Sequence, residues 1–199
     1  MWRTLSLAVL SAIVISSSYA QTEIWRKYGY DVRSRPRPSA VADGNGNIYL
    51  ARGGGAPRDT IRKVDAGGTV VWEKQVDIVT SLAWSGAGLY VLFTQDLVRD
   101  SVSFYDPSGT RLWTYALRGL SRTGTHHTID RQGNLLLFVG SPGLSLLKLT
   151  PDGTKAFQTP LPTDFIPNVT DVSYSSPVVD GEGSIWMLSE ALVSVETVR

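Results

Sequence analysis

His126 and His127 are the only histidines in this chain of 199 residues, and there is no cysteine. Imidazole titrates near neutral pH, so either histidine could serve as acid, base or metal ligand. Adjacent residues of a strand point to opposite faces, so the pair cannot easily grip one metal ion. A hydrogen bond inside or at the mouth of a channel accounts for a histidine there equally well. Without cysteine there is no disulfide, thiolate metal site or thiol nucleophile.

Other candidates are weaker. Asp43-Gly44-Asn45-Gly46-Asn47 matches the first ligand positions of a calcium loop. Ile48 then stands where that loop needs glycine, and Gly54 where it needs a bidentate glutamate, so the stretch reads as a β-turn. Arg33-Ser34-Arg35-Pro36-Arg37-Pro38 could meet an anionic partner, but proline blocks ladder pairing and an extended connection suffices. Asn168-Val169-Thr170 is a glycosylation sequon. No nucleophile elbow, carboxylate pair or phosphate loop stands out, so neither a cofactor nor a metal is expected.

The chain is 42% hydrophobic and 19% charged, with a net charge of +1. That is ordinary globular composition, and it lacks the basic excess that nucleic acid would demand. Residues 1–20 combine Arg3, the apolar run Leu5 to Ile15 and the small-residue end Ser18-Tyr19-Ala20. They read as a signal peptide cut after Ala20, since a bilayer span needs about 20 apolar residues. The expectation is a secreted or periplasmic protein with one domain over 21–199 and no membrane span in the mature chain.

Whatever chemistry exists must be positioned by a recurring unit. Thr22-Glu23-Ile24-Trp25, Thr69-Val70-Val71-Trp72, Thr110-Arg111-Leu112-Trp113 and Thr154-Lys155-Ala156-Phe157 share a threonine with a large aromatic three residues later. Their spacing of roughly 40–50 residues is that of propeller blades. Three further strands recur in step. The first set is Ser39 to Ala42, Ser81 to Ala83, Thr125 to Ile129 and Ser176 to Val179. The second is Ile48 to Ala51, Leu89 to Phe93, Leu135 to Val139 and Ile185 to Leu188. The third is Ile61 to Val64, Val102 to Tyr105, Ser145 to Leu149 and Leu192 to Val195. The turns between them are rich in Asp and Gly, as hairpins require.

Leu89 to Phe93 and Leu135 to Val139 are apolar at every position, which means that both faces are covered. A sandwich with a wet outer face would alternate more cleanly. The expected fold is therefore all-β: a β-propeller of four-stranded antiparallel blades, about four in number. The N-terminal strand Thr22 to Lys27 would close the last blade, unless the chain is a fragment of a larger propeller.

Asp65-Ala66-Gly67-Gly68-Thr69-Val70-Val71-Trp72 and Asp106-Pro107-Ser108-Gly109-Thr110-Arg111-Leu112-Trp113 resemble the blade motif of pyrroloquinoline-quinone-like repeat propellers. The resemblance covers about residues 22–198 and lies in the repeat. Quinone enzymes of that family use adjacent cysteines and an acidic metal site; this chain has no cysteine, so the resemblance implies the fold and not the cofactor.

Alternating strands put the stereotyped turns at one end and the longer, irregular loops at the other. Binding residues sit preferentially on irregular loops held by a rigid scaffold. Arg52, Arg58, Arg99, Asp100 and Arg122 lie in or beside those loops, and His126 and His127 lie near the expected channel mouth. These seven are the candidate partner- or ligand-binding residues of a module for a protein or a polar ligand. Rival expectations are a propeller hydrolase or lyase using a histidine at the channel mouth, and a structural envelope module.

Overall fold

The structure is a computed structural model that describes residues 39–52, 58–94, 100–117, 126–140, 144–161, 169–187 and 189–193. All fall in the unit Asp31–Arg199. The expected signal segment and the closing strand Thr22 to Lys27 lie outside the described residues.

Every described element is a β-strand. The first sheet runs β1 (Ser39–Ala42), β2 (Ile48–Arg52), β3 (Asp59–Val64) and β4 (Val70–Val76), in that order. The second contains β5 (Val79–Trp84), β6 (Leu89–Thr94), β7 (Asp100–Tyr105) and β8 (Arg111–Leu117). The third contains β9 (His127–Ile129), β10 (Leu135–Val139), β11 (Ser145–Leu149) and β12 (Lys155–Pro160). Within each sheet the neighbours are consecutive and antiparallel. The first strands of successive sheets lie side by side, β1 against β5 and β5 against β9. The protein has an all-β, propeller-like fold of four-stranded antiparallel sheets.

The doubly apolar strands sit where their sequence demands. Leu89, Val91 and Phe93 of β6 pack with Tyr49, Ala51 and Ile61 of the first sheet. Tyr90 and Leu92, on its other face, pack with Leu135, Leu137 and Val139 of β10. Leu136 and Phe138 turn the other way, toward Val179 and Ile185. The middle strands are thus covered on both faces, which removes nearly all their side chains from water.

The recurrent tryptophans join one sheet to the next. Trp72 of β4 donates its indole N–H to the Pro107 carbonyl at 3.1 Å. Trp113 of β8 donates to the Pro151 carbonyl at 2.8 Å. Each acceptor belongs to the hairpin turn of the next sheet along the chain, and the glycine of that turn lies on the indole. A Cβ at Gly109 would come within 2.9 Å of Trp72, and one at Gly153 within 2.9 Å of Trp113. Gly153 also has φ +87, a conformation that a side chain disfavours. Gly153→Ala is therefore expected to cost about 1–3 kcal/mol from overpacking and backbone strain together. Urea denaturation of the purified variant measures it, and an unchanged midpoint would mean that the turn moves freely away from the ring.

The aspartates of the turns cap their own loops. Asp43 Oδ1 accepts the Asn45 and Asn47 amide hydrogens at 2.8 and 3.0 Å, and Asp180 Oδ1 does the same for Glu182 and Ser184 at 2.9 Å each. The stretch at Asp43 is accordingly a hydrogen-bonded β-turn, and the described residues contain no group of three or more potential metal ligands.

The fourth group departs from expectation. β14 (Val178–Val179) pairs with β15 (Ile185–Trp186), but β16 (Ser189–Val193) pairs with β13 (Val169–Tyr174). Residues 169–174 fall in a stretch, Pro162 to Tyr174, that reads from sequence as an irregular loop. The partner of β13 lies some twenty residues further along the chain, a pairing that local sequence does not mark. The described sheets do not close on one another.

Candidate ligand-binding cleft

A cleft of about 340 Å³ lies between the first and second sheets. One wall is the end of β4 and the residue after it: Gln75, Val76 and Asp77. The other is β7 and β8: Ser101, Ser103 and Tyr105, with Arg111 and Thr114. Phe93 of β6 forms an apolar part of the lining, and Arg58 lies at the loop end beside β3. The volume is near the lower end of small-molecule pockets, roughly 300–1,000 Å³, but such pockets are mostly apolar and this one is dominated by hydroxyl and charged groups.

The polar groups are held in place. Ser103 Oγ lies 2.7 Å from Thr114 Oγ1, across the β7–β8 ladder. Burial raises the Tyr105 phenol above its ordinary value against the pull of Arg111, and the Asp77 carboxylate adds to the rise. Tyr105 therefore keeps its proton at neutral pH; it is only 4% exposed and packs in the apolar cluster between the sheets.

The next inter-sheet space is lined differently at the equivalent positions. Counting back from the turn glycines, Ser103 and Tyr105 before Gly109 occupy the places of Leu147 and Leu149 before Gly153. Leu147 and Leu149 are 1% and 0% exposed and pack in a dry cluster with Trp113 and Tyr115. In the first sheet the place of Tyr115 is taken by Lys74, which is exposed. Two leucines and an aromatic fill the second space. The first space has an apolar cluster of its own, in which Tyr105 packs with Tyr49, Ile61, Val91 and Phe93, and Ser103 is as buried as Leu147; the cleft opens beside them at the exposed Arg58, Gln75, Asp77, Arg111 and Thr114.

Of the seven sequence candidates, Arg58 lines this cleft. Arg52 ends β2, paired with Thr60. Asp100 opens β7 opposite Leu117 and is only 4% exposed. The corresponding Asp59 of β3, equally buried, accepts the Val79 amide hydrogen at 2.7 Å and so ties the first sheet to the second. His126, just before β9, has Nδ1 3.0 Å from Ser176 Oγ, and His127 opens β9 opposite Leu137. Neither histidine lines the cleft. Arg99 and Arg122 lie outside the described residues. Sequence reasoning missed the walls themselves, although Ser103 and Tyr105 stand out against Leu147 and Leu149 when the strands are aligned on their turns.

No family model and no curated protein matches the chain. Solved structures similar to it include a eukaryotic initiation factor, with a TM-score of 0.51 and 14% identity over 65% of this chain and 33% of that one. A protein of unknown function from Bacteroides caccae gives a TM-score of 0.49 and 12% identity, over 81% of this chain and 57% of that one. A GH43 glycoside hydrolase, engineered in its active site to show both endo-xylanase and exo-arabinofuranosidase activity, gives 0.39 and 15% over 68% and 34%. The chain spans from a third to rather more than half the length of these proteins. At such identities the likeness is one of fold alone. Among the described residues no helix is long and apolar enough to cross a membrane.

Proposed function

We propose that the protein is a binding module whose cleft between the first two sheets takes a small polar ligand. One observation supports this reading above others: a cleft between the first two sheets is rimmed by the exposed polar side chains of Arg58, Gln75, Asp77, Arg111 and Thr114, and behind them serine and tyrosine stand where the next inter-sheet space has leucines. A lining of hydroxyls, an amide and both signs of charge suits a ligand that can hydrogen-bond at many points. The blades are of the pyrroloquinoline-quinone-like repeat type, on the strength of Asp65 to Trp72 and Asp106 to Trp113. The module acts outside the cytoplasm, on the strength of residues 1–20. Its long-loop end, which Arg58 joins to the cleft, is the side from which a ligand or protein partner arrives.

The test is to restore the filling. Ser103→Leu puts into the first space the residue that closes the second. A panel of sugars, sugar acids, amino acids and nucleotides is screened by thermal shift against the native protein and this variant. Ligands of the native protein are expected to lose at least about tenfold in affinity in the variant, the cost of a blocked site. A ligand that binds both proteins equally well would place recognition elsewhere and sink the reading.

A further inference from the structure

We propose that Asn45, at the tip of the turn between β1 and β2, is a modification site: it deamidates spontaneously through a cyclic imide formed with the backbone of Gly46. In that reaction the Gly46 nitrogen gives up its proton to hydroxide and attacks Asn45 Cγ. The new C–N bond closes a five-membered ring as the Cγ–Nδ2 bond breaks and ammonia leaves. Water then opens the imide at one carbonyl or the other, giving aspartate or isoaspartate. Glycine favours the attack because it has no side chain to shield its nitrogen. The sequence sets an aspartate or asparagine before glycine four times, at Asp43-Gly44, Asn45-Gly46, Asp152-Gly153 and Asp180-Gly181.

The structure separates Asn45 from the other three. Asp43 Oδ1 accepts the Asn45 and Asn47 amide hydrogens at 2.8 and 3.0 Å, and its Oδ2 accepts the Asn47 side-chain amide at 2.7 Å. Asp152 Oδ1 accepts the Thr150 hydroxyl and, at 3.2 Å, the Thr154 amide. Asp180 Oδ1 accepts from Glu182 and Ser184, and its Oδ2 accepts the Trp186 indole N–H at 2.8 Å. These carboxylates are also ionised at neutral pH, and a carboxylate carbon is a poor electrophile. Asn45 is exposed, and among the described residues only its backbone N–H joins the hydrogen bonds of the turn. The attacking nitrogen is loosely held as well. Gly46 donates to the Asp43 carbonyl at 3.4 Å, whereas the matching bonds of Gly109, Gly133 and Gly183 are 2.9, 3.0 and 3.2 Å long. The asparagines Asn47 and Asn134 are tied by their side chains to Asp43 and Asp130 at 2.7 and 2.8 Å, and Ile48 and Leu135 crowd the nitrogens that follow them. None of these residues lines the cleft. Conversion places a new carboxylate beside Asp43. Isoaspartate also adds a backbone carbon inside a turn that the Asp43 N–H closes on the Asn47 carbonyl at 2.9 Å.

The full chain is kept at mildly alkaline pH, one sample folded and one in guanidinium chloride. Each is then digested, and its peptides are read by mass spectrometry and by enzymatic methylation of isoaspartate. In the folded protein Asn45 is expected to convert at least about tenfold faster than Asn47 or Asn134, whose bonded side chains cannot come into line for attack. Asp43, Asp152 and Asp180 should stay unisomerised while folded and begin to isomerise once unfolded. Asn45→Gln, which would have to close a six-membered ring, should melt at the native temperature and yield none of the acidic form that anion exchange separates from the native protein. If Asn45 keeps its amide in the folded protein, the proposal is overturned. If Asn47 or Asn134 converts as fast, or the three aspartates isomerise equally in both samples, the hydrogen bonds of the turns do not select the site and the argument for Asn45 fails.

Discussion

Trp113→Ala is expected to cost about 3 kcal/mol of stability, the lower end of the range for removing a large aromatic because the ring is half-buried. The loss has several sources. The indole stacks on Phe104 with ring centres 5.6 Å apart and meets Tyr90 edge-on at 5.9 Å. Its N–H donates to the Pro151 carbonyl, and its face lies under Gly153. Alanine would leave a cavity between two sheets and a turn resting on nothing. Trp113→Phe keeps most of the stacking and loses the N–H, so it should cost nearer 1 kcal/mol beyond the change in ring size. Urea denaturation of both variants checks the order. An unaltered midpoint in Trp113→Ala would mean that the turn and ring do not carry the contact between the sheets.

Asp130→Ala should be comparably damaging, at about 3 kcal/mol, and its effect should depend on pH. The carboxylate is almost wholly enclosed, its side chain being 2% exposed. It accepts the amide hydrogens of Gln132 and Asn134 at 2.9 Å each and the Asn134 side-chain amide at 2.8 Å. Lys148 Nζ lies 2.8 Å from its second oxygen. Removing it strands several donors and a cation, and a stranded buried group costs more than a bond is worth. Burial by itself would raise the carboxyl, but the bonds from Lys148 and Asn134 prevail and hold it below the ordinary 3.8. A depressed folded value means that the unfolded chain takes up the proton first. The stabilisation is therefore complete above the unfolded value and lost as pH falls below it through the folded one. Asp43 is depressed in the same way, by Asn47 and the loop amides working against burial. The melting temperature should stay level from neutrality down to about pH 4 and fall below it. In Asp130→Ala the fall should be shallower. A variant curve parallel to the native one through that window would show that Asp130 contributes no pH-dependent stability.

Much of the fold was legible because local physics writes it into the chain. The Asp and Gly turns specify hairpins through side-chain capping and positive φ, as at Gly109 and Gly153. Leu135 to Val139 came out residue for residue, because a continuous apolar run has few other places to go. The recurring Thr-x-x-aromatic stretch lies at the fourth strand of each of the three four-stranded sheets. Val71 and Leu112 are 53% and 57% exposed, whereas Trp72 and Trp113 turn inward. Val169 to Tyr174 does not show from sequence that it pairs with Ser189 to Val193, because that pairing is long-range.

The candidate site divides differently. Irregular loops and histidines carry the strongest functional hints in the sequence, and among the described candidates there Arg58 lines the cleft. The sequence by itself determined that the chain is all-β, where its turns lie and which strands are covered on both faces, because these depend on residues near one another in the chain. Only the tertiary structure decided that Arg58, Gln75 and Asp77 come together with Ser101, Arg111 and Thr114 around one cleft between the first two sheets. Arg58 apart, each of those residues is unremarked within its own strand. Its meaning comes from what the neighbouring sheet places opposite it, and packing between sheets is settled by shape and volume that no single strand encodes.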